Sequence, residues 1–115
     1  MNIDTLLNQL KNNPNQIVFA DVMQTIDNHY EFSETAFTNG EQHNRAGENS
    51  GSCKVFSFAL LQKLDEQQTL TLFGEYYRED VLKNPQGDDH QNIRQFIEQG
   101  FAGISFSQEA LTPKT

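Results

Sequence analysis

The stretch that organises the rest of the chain is Asn49-Ser50-Gly51-Ser52-Cys53-Lys54-Val55-Phe56-Ser57-Phe58-Ala59-Leu60-Leu61. In it, a polar loop that contains glycine turns into the most apolar helix that the sequence predicts. Ser50 or Ser52 can cap this helix, because a serine hydroxyl accepts a backbone N–H of the first turn. After the cap, apolar residues fall on nearly every side of the helix, and a helix with that pattern is buried. The sequence therefore predicts a central helix over 51–64, with the other segments packed against it.

Composition and charge exclude several classes of partner. The chain has 115 residues, with 16 acidic against 8 basic side chains and a net charge of -8. A field of that sign repels phosphate backbones and anionic lipid surfaces, so neither nucleic acid nor a membrane is expected as a partner. The longest apolar run, 55–61, is too short to span a bilayer. The length and the acidic, soluble composition predict one domain with a core of its own.

The number of cysteines limits the possible disulfide and metal chemistry and bears on the redox state of the compartment. One cysteine excludes an internal disulfide and a CxxC zinc site within the chain. The start of the sequence shows neither the charged nor the apolar region of a secretory signal, which favours a reducing compartment. The patterns HExxH, Walker A and GxGxxG are also absent.

Helical spacing of apolar residues predicts four helices besides the central one. In chain order, the residues with this spacing run from Ile3 to Leu10, from Phe19 to Tyr30, from Leu70 to Val81 and from Ile93 to Ile97. Capping signals precede them at Asn2, at Asn13 with Pro14, at Asp65 with Gln68, and at Asp88 or Asp89. Gly74 is expected to bend or break the helix that contains it.

The remaining segments predict little β-structure. Residues 31–38 lose the helical period and precede the turn pair Asn39-Gly40, which predicts a short strand or extended arm. Residues 101–106 read as a second strand that pairs with the first near Phe37. We therefore expect a mainly α fold: a single compact helical domain over 1–106 around a buried central helix, with at most a short two-stranded β element. Residues 107–115 are expected to be a frayed tail.

Three blocks of the chain resemble one known family. They are residues 50–54 (SGSCK), 73–82 (FGEYYREDVL) and 89–94 (DHQNIR), and with 103–106 the likeness extends over nearly the whole chain. In their order and separation they are similar to the HopJ family of type III effector proteins. The resemblance implies a bacterial virulence protein that a needle-type system secretes into a host cell. It implies no catalytic mechanism, so the sequence favours a non-enzymatic interaction or binding protein with an unknown protein partner, in the host if it is delivered there.

The alternative is a small cytoplasmic hydrolase or ligand-binding protein that uses Cys53 or the His90 region. Cys53 lies near a helix start and beside a lysine, where a thiol pKa can be lowered, and His43 or His90 could serve as its base. Cys53 also lies on the apolar stripe continued by Phe56 and Leu60. The stripe favours a small buried hydrophobic residue over a nucleophile.

The residues around His90 also suggest a possible metal site. Asp88-Asp89-His90 could hold a divalent ion together with His43, Glu41 or Glu48, if the loop folds back over the last helix. Carboxylates at a helix start are more often caps, so the sequence predicts no metal and no cofactor.

The starts of two helices carry most of the unusual polar residues. The loop 39–52 leads into the central helix, and the turn 84–92 leads into the last one. If both starts open on one cleft, their free N–H groups would form a pocket for a small anion or carboxylate. The candidate ligand-binding residues are Asn49, Ser52, Cys53, His90 and Arg94.

Overall fold

The computed structural model describes residues 2–114, and five α-helices run through this part of the chain. They are α1 (Ile3–Asn12), α2 (Phe19–His29), α3 (Ser50–Gln62), α4 (Glu66–Thr71) and α5 (Gln91–Gln99). Two 3₁₀ turns, Pro14–Gln16 and Gly100–Gly103, and one π-helical segment, Tyr76–Val81, join them. The cap predictions at Asn2 and Asp65 are confirmed, whereas Asn13 and Pro14 begin only the first 3₁₀ turn.

Five short strands form two antiparallel sheets. The strands are β1 (Tyr30–Phe32), β2 (Phe37–Asn39), β3 (Gln42–Asn44), β4 (Ile104–Phe106) and β5 (Leu111–Pro113). One sheet pairs β1 with β5, and the other has the order β3-β2-β4. The fold is 56% helix and 13% strand, which makes it a mixed α/β fold. The prediction of a mainly α fold with at most a two-stranded element is therefore wrong.

The strands β1, β3 and β5 were not predicted because three residues are too few to show a clear alternating pattern. In addition, β1 and β5 pair with each other from distant parts of the chain. The predicted pairing near Phe37 is present, since Phe37 lies opposite Phe106. The loop expected after Gly40 instead turns back as β3, with Gly40 at a φ of +57° in the turn. In the segment expected to be frayed, residues 111–113 pair with β1. Met1 and Thr115, at the ends of the predicted domain and tail, lie outside the described residues.

The helix α3 lies at the centre of the core, as predicted. Every side chain from Val55 to Ala59 is buried. Phe56 is fully buried, and its ring lies 5.1–6.1 Å from three other phenylalanine rings: Phe37, Phe73 and Phe96. The all-round burial does not extend to the end of the helix, because Leu60 and Leu61 are 48% and 49% exposed. None of the helices within residues 2–114 has the length and hydrophobicity needed to span a membrane.

A close contact between two segments fixes the entry to α2. No side chain next to it in sequence caps this helix; instead, the Glu75 carboxylate accepts the N–H of Phe19 at 2.8 Å. The guanidinium of Arg78 donates to the carbonyl oxygen of Ile17 at 2.6 Å. Gly74, at a φ of +60°, lets the two backbones approach, and the predicted break in the helix is confirmed there. The contact places Phe19 beside the starts of α3 and α5.

Candidate functional site

The starts of α3 and α5 open on one cleft of about 440 Å³. Phe19, Gln42, Asn49, Gly51, Ser52, Phe73, Tyr76, His90, Gln91, Asn92 and Ile93 line it. The condition stated from the sequence, that the loop 39–52 and the turn 84–92 open on one cleft, is therefore met. Of the predicted ligand-binding residues, the structure brings together Asn49, Ser52 and His90. That a ligand binds there stays a prediction.

Both helices begin in the same unusual way. Their N-cap residues, Asn49 and His90, have left-handed backbones with a φ of 50°. The predicted caps, Ser50 or Ser52 for α3 and Asp88 or Asp89 for α5, are therefore wrong. The first backbone hydrogen bonds run from Cys53 to Asn49 and from Ile93 to His90. The N–H groups ahead of them, at residues 50–52 and 91–92, have no protein acceptor within the described part of the chain. Helix starts of this kind favour negative charge.

A network of asparagine side chains holds the wall between the two starts. Asn92 accepts from the Nδ2 groups of Asn39 and Asn44 at 3.1 and 3.2 Å and donates to Asn44 Oδ1 at 3.1 Å. Asn49 donates to the same Asn44 oxygen at 2.6 Å. Asn39, Asn44 and Asn92 are buried, so these bonds satisfy groups that water does not reach. The network ties the β2–β3 hairpin to both helix starts.

Aromatic rings also line the cleft. The ring of Phe19 lies 6.2 Å from that of Phe73 and 4.8 Å from that of Tyr76. Tyr76 in turn stacks on the imidazole of His90 at 5.1 Å, with the two planes within 23°. The cleft therefore offers both aromatic rings and hydrogen-bonding groups, which is the usual composition of a small-molecule site.

At one side of the cleft, His90 belongs to a polar cluster. Its Nε2 lies 3.0 Å from Asp80 Oδ2 and 3.9 Å from Asp89 Oδ2. Asp80 is not among the residues predicted from the sequence. The turn predicted at 84–87 was the available signal, because a tight turn brings the residues that flank it together.

Arg94 does not line the cleft. Its guanidinium donates to Asp89 Oδ1 at 2.6 Å and to the carbonyl oxygen of Asn84 at 2.9 Å. The hydrogen bond from Arg94 lowers the pKa of the Asp89 carboxyl below its usual value. The structure thus places Arg94 as a side chain that holds the 84–89 turn, outside the predicted pocket.

Of the metal-ligating residues suggested by the sequence, the structure brings only Asp89 and His90 together within the described part of the chain. His43 is exposed on β3, and Glu48 Oε1 accepts the backbone N–H of Arg45 at 2.9 Å. Within residues 2–114, Asp80, Asp89 and His90 form the group of three whose metal-ligating atoms all lie within 4.8 Å of one another.

Cys53 does not line the cleft and is 1% exposed. Burial raises the pKa of its thiol from 9.0 to about 11, although the Ser57 hydroxyl and the Lys54 charge oppose the shift. A thiol with this pKa is protonated at neutral pH and is a poor nucleophile. This position fits the interpretation of Cys53 as a small buried hydrophobic residue on the apolar face of the helix.

Native Cys53 should therefore react slowly with iodoacetamide. At pH 8 the pKa alone lowers the thiolate fraction about 100-fold relative to an ordinary cysteine, and burial slows the reaction further. The folded-state pKa exceeds the unfolded value, so the free energy of unfolding should be constant below pH 9 with respect to this group and fall as the pH rises towards 11.

Mass spectrometry of the alkylated protein measures the rate. The control is Ser105→Cys in a Cys53→Ala background, which presents an exposed thiol on β4. Equal rates for Cys53 and Cys at position 105 in the native state would show that the thiol is accessible.

Fold and site together define a small mixed α/β protein with a cleft lined by polar groups and aromatic rings. The model of the HopJ type III effector protein family matches residues 3–111, and the chain belongs to this family. A solved structure described as "Crystal structure of unknown function protein VPA0580" is 48% identical in sequence, with a TM-score of 0.97. The match covers 99% of this chain and 95% of that one. No curated protein matches the chain.

Proposed function

We propose that this HopJ-family protein is a non-enzymatic binding protein and that the cleft between the starts of α3 and α5 is its binding site. The ligand is a small molecule with a carboxylate or phosphate on an aromatic or apolar body. One observation carries the proposal: two helix starts and an aromatic wall face the same cavity of about 440 Å³. Its size suits one such molecule.

The polar side of the cleft suits an anion because its free hydrogen-bonding groups include backbone N–H donors. The basic side chains on the two helices that begin at the cleft, Lys54 on α3 and Arg94 on α5, are paired with Asp27 and Asp89. Binding would therefore rest on N–H groups and helix dipoles, not on a free basic side chain. The aromatic side contributes apolar contact through Phe19 and Tyr76.

Membership of the HopJ family suggests where the proposed binding protein would act. HopJ proteins are described as type III effectors, and we propose that the chain acts on delivery into a host cell, through a protein partner as well as a ligand. The thiol-hydrolase alternative is weakened by the burial of Cys53 and the raised pKa of its thiol. A hydrolase that uses His90 stays an alternative, because Asp80 orients the imidazole within the cleft wall.

The test is an NMR titration of ¹⁵N-labelled protein with benzoate, in buffer that contains EDTA. Benzoate combines a carboxylate with a ring, and for a fragment of this size we expect a Kd of about 1–10 mM. The amides of residues 50–52 and 91–92 should shift in a saturable way. Tyr76→Ala should weaken benzoate binding and leave acetate binding unchanged, because acetate has no ring to contact the wall.

Benzamide is the matched control for charge. It keeps the ring and loses the carboxylate, so it should shift the same amides at least about tenfold less strongly at equal concentration. Equal shifts with benzamide would contradict the anion-binding role of the helix starts. Shifts that fail to saturate, or that cluster on β4 and β5, would contradict the cleft itself.

A further inference from the structure

Three side chains beside the cleft form a group that the proposed function does not use. We propose that Asp80, Asp89 and His90 bind a divalent transition-metal ion, with zinc as the representative. His90 lines the cleft, so the ion would lie at its edge. Asp80 precedes the turn over 84–87 in the chain, and Asp89 and His90 follow it.

The distances between the ligand atoms fit such an ion. His90 Nε2 stands 3.0 Å from Asp80 Oδ2 and 3.9 Å from Asp89 Oδ2, and all three atoms lie within 4.8 Å of one another. In a tetrahedral zinc site with bonds of about 2.0–2.1 Å, the ligand atoms stand about 3.4 Å apart. The observed pairs with His90 lie on both sides of that value, so small side-chain rotations would complete the site.

Neighbouring groups hold two of the three ligands in place. Arg94 binds Asp89 through Oδ1 at 2.6 Å, whereas it is Oδ2 that lies towards His90. The Tyr76 ring stacks on the imidazole and restricts its plane. Outer contacts of this kind orient the ligands of metal sites. Arg94 and Tyr76 are thus positioning residues in the proposal.

The donor set selects the kind of ion. Two carboxylates neutralise the charge of a divalent cation, and the imidazole favours zinc and its transition-metal neighbours over magnesium or calcium. The net charge of -8 attracts cations in general. Three protein ligands leave a fourth position for water or for a ligand in the cleft, as in zinc sites that are not purely structural.

The ordinary alternative is that these contacts only fix the turn. His90 would then be a hydrogen-bond partner of Asp80, and Asp89 an ion-pair partner of Arg94. Both explanations use the same contacts. They differ in whether the three side chains bind an added ion together, at one site and with one stoichiometry.

Isothermal titration of the full chain with zinc chloride, after EDTA treatment and dialysis, tests the proposal. We expect one zinc ion per chain with a micromolar or tighter Kd. Asp80→Asn, Asp89→Asn and His90→Asn should each raise that Kd at least about tenfold. Asparagine suits position 90 because it tolerates the positive φ found there. Co²⁺, used in place of zinc, should give visible absorption that His90→Asn removes.

Two variants serve as matched controls. Asp88→Asn removes the carboxylate next in sequence, and His43→Asn removes an exposed imidazole on β3. Neither should change zinc binding, and thermal unfolding of the metal-free proteins checks that every variant is folded. Zinc uptake well below one equivalent would overturn the proposal, as would equal losses in Asp88→Asn and Asp89→Asn. No organic ligand is present, so this result is independent of the benzoate titration.

Discussion

Replacing Phe56 with alanine is expected to lower the free energy of unfolding by about 3–5 kcal/mol. The side chain is fully buried at the centre of the core, with its ring 5.1 Å from that of Phe96 and 5.5 Å from that of Phe73. Alanine would leave a cavity that the surrounding rings fill only in part. Because single domains are stable by only about 5–15 kcal/mol, this one change should remove a large share of the total.

Leu60→Ala is the matched control on the same helix. Leu60 lies one turn after Phe56 and is 48% exposed, so its truncation should cost less than about 1 kcal/mol. Urea unfolding followed by circular dichroism measures both variants. If Leu60→Ala proved as costly as Phe56→Ala, the exposed end of α3 would be buried in solution, for instance against another chain.

Gly74→Ala should be the most damaging of the glycine substitutions, at about 3 kcal/mol or more. A left-handed backbone costs an alanine roughly 1–2 kcal/mol by itself. In addition, a Cβ at position 74 would lie 2.6 Å from the backbone nitrogen of Phe19 and 3.0 Å from the carbonyl oxygen of Ile17. These are backbone atoms, so they cannot rotate away. The contact that fixes the entry to α2 would have to open.

Gly47→Ala is the control that keeps the cost of a left-handed backbone but lacks a clash with backbone atoms. Gly47 also has a positive φ, of +88°, but the nearest atom to its Cβ would be Glu34 Oε2 at 3.1 Å, at the end of a flexible side chain. We expect a loss of roughly 1–2 kcal/mol there. Comparable losses in the two variants, measured by urea unfolding, would show that the approach of residues 17–19 to Gly74 does not constrain the fold.

The sequence predicted the helices of the core well because their signals are local. Apolar spacing located α1, α2, α3 and α5, and the Asp65 cap with Gln68 marked the start of α4. Apolar spacing did not predict correctly which side chains are buried at the end of α3. Leu60 is as apolar as Phe56, but whether another segment covers it depends on how the chain 107–111 returns, and no local pattern records that path.

Of the residues that the sequence predicted for the candidate site, some line the cleft and others do not. Polar residues ahead of two helices suggested a shared cleft as one possible arrangement, and Asn49, Ser52 and His90 do line such a cleft. Arg94 does not, because the nearby Asp89 carboxylate and Asn84 carbonyl bind its guanidinium. Spacing along the chain could not tell a side chain that points into the cleft from one that fixes the turn behind it.

By itself, the sequence determined the buried central helix, the flanking helices and the family, since all of these follow from patterns within short windows or ordered blocks. Only the tertiary structure decided the two sheets, because three-residue strands are held by partners as distant as Tyr30 and Pro113. It also decided the asparagine network and the grouping of Asp80 with His90. These depend on hydrogen bonds and ion contacts across space, whose energy does not appear until the chain has closed its loops.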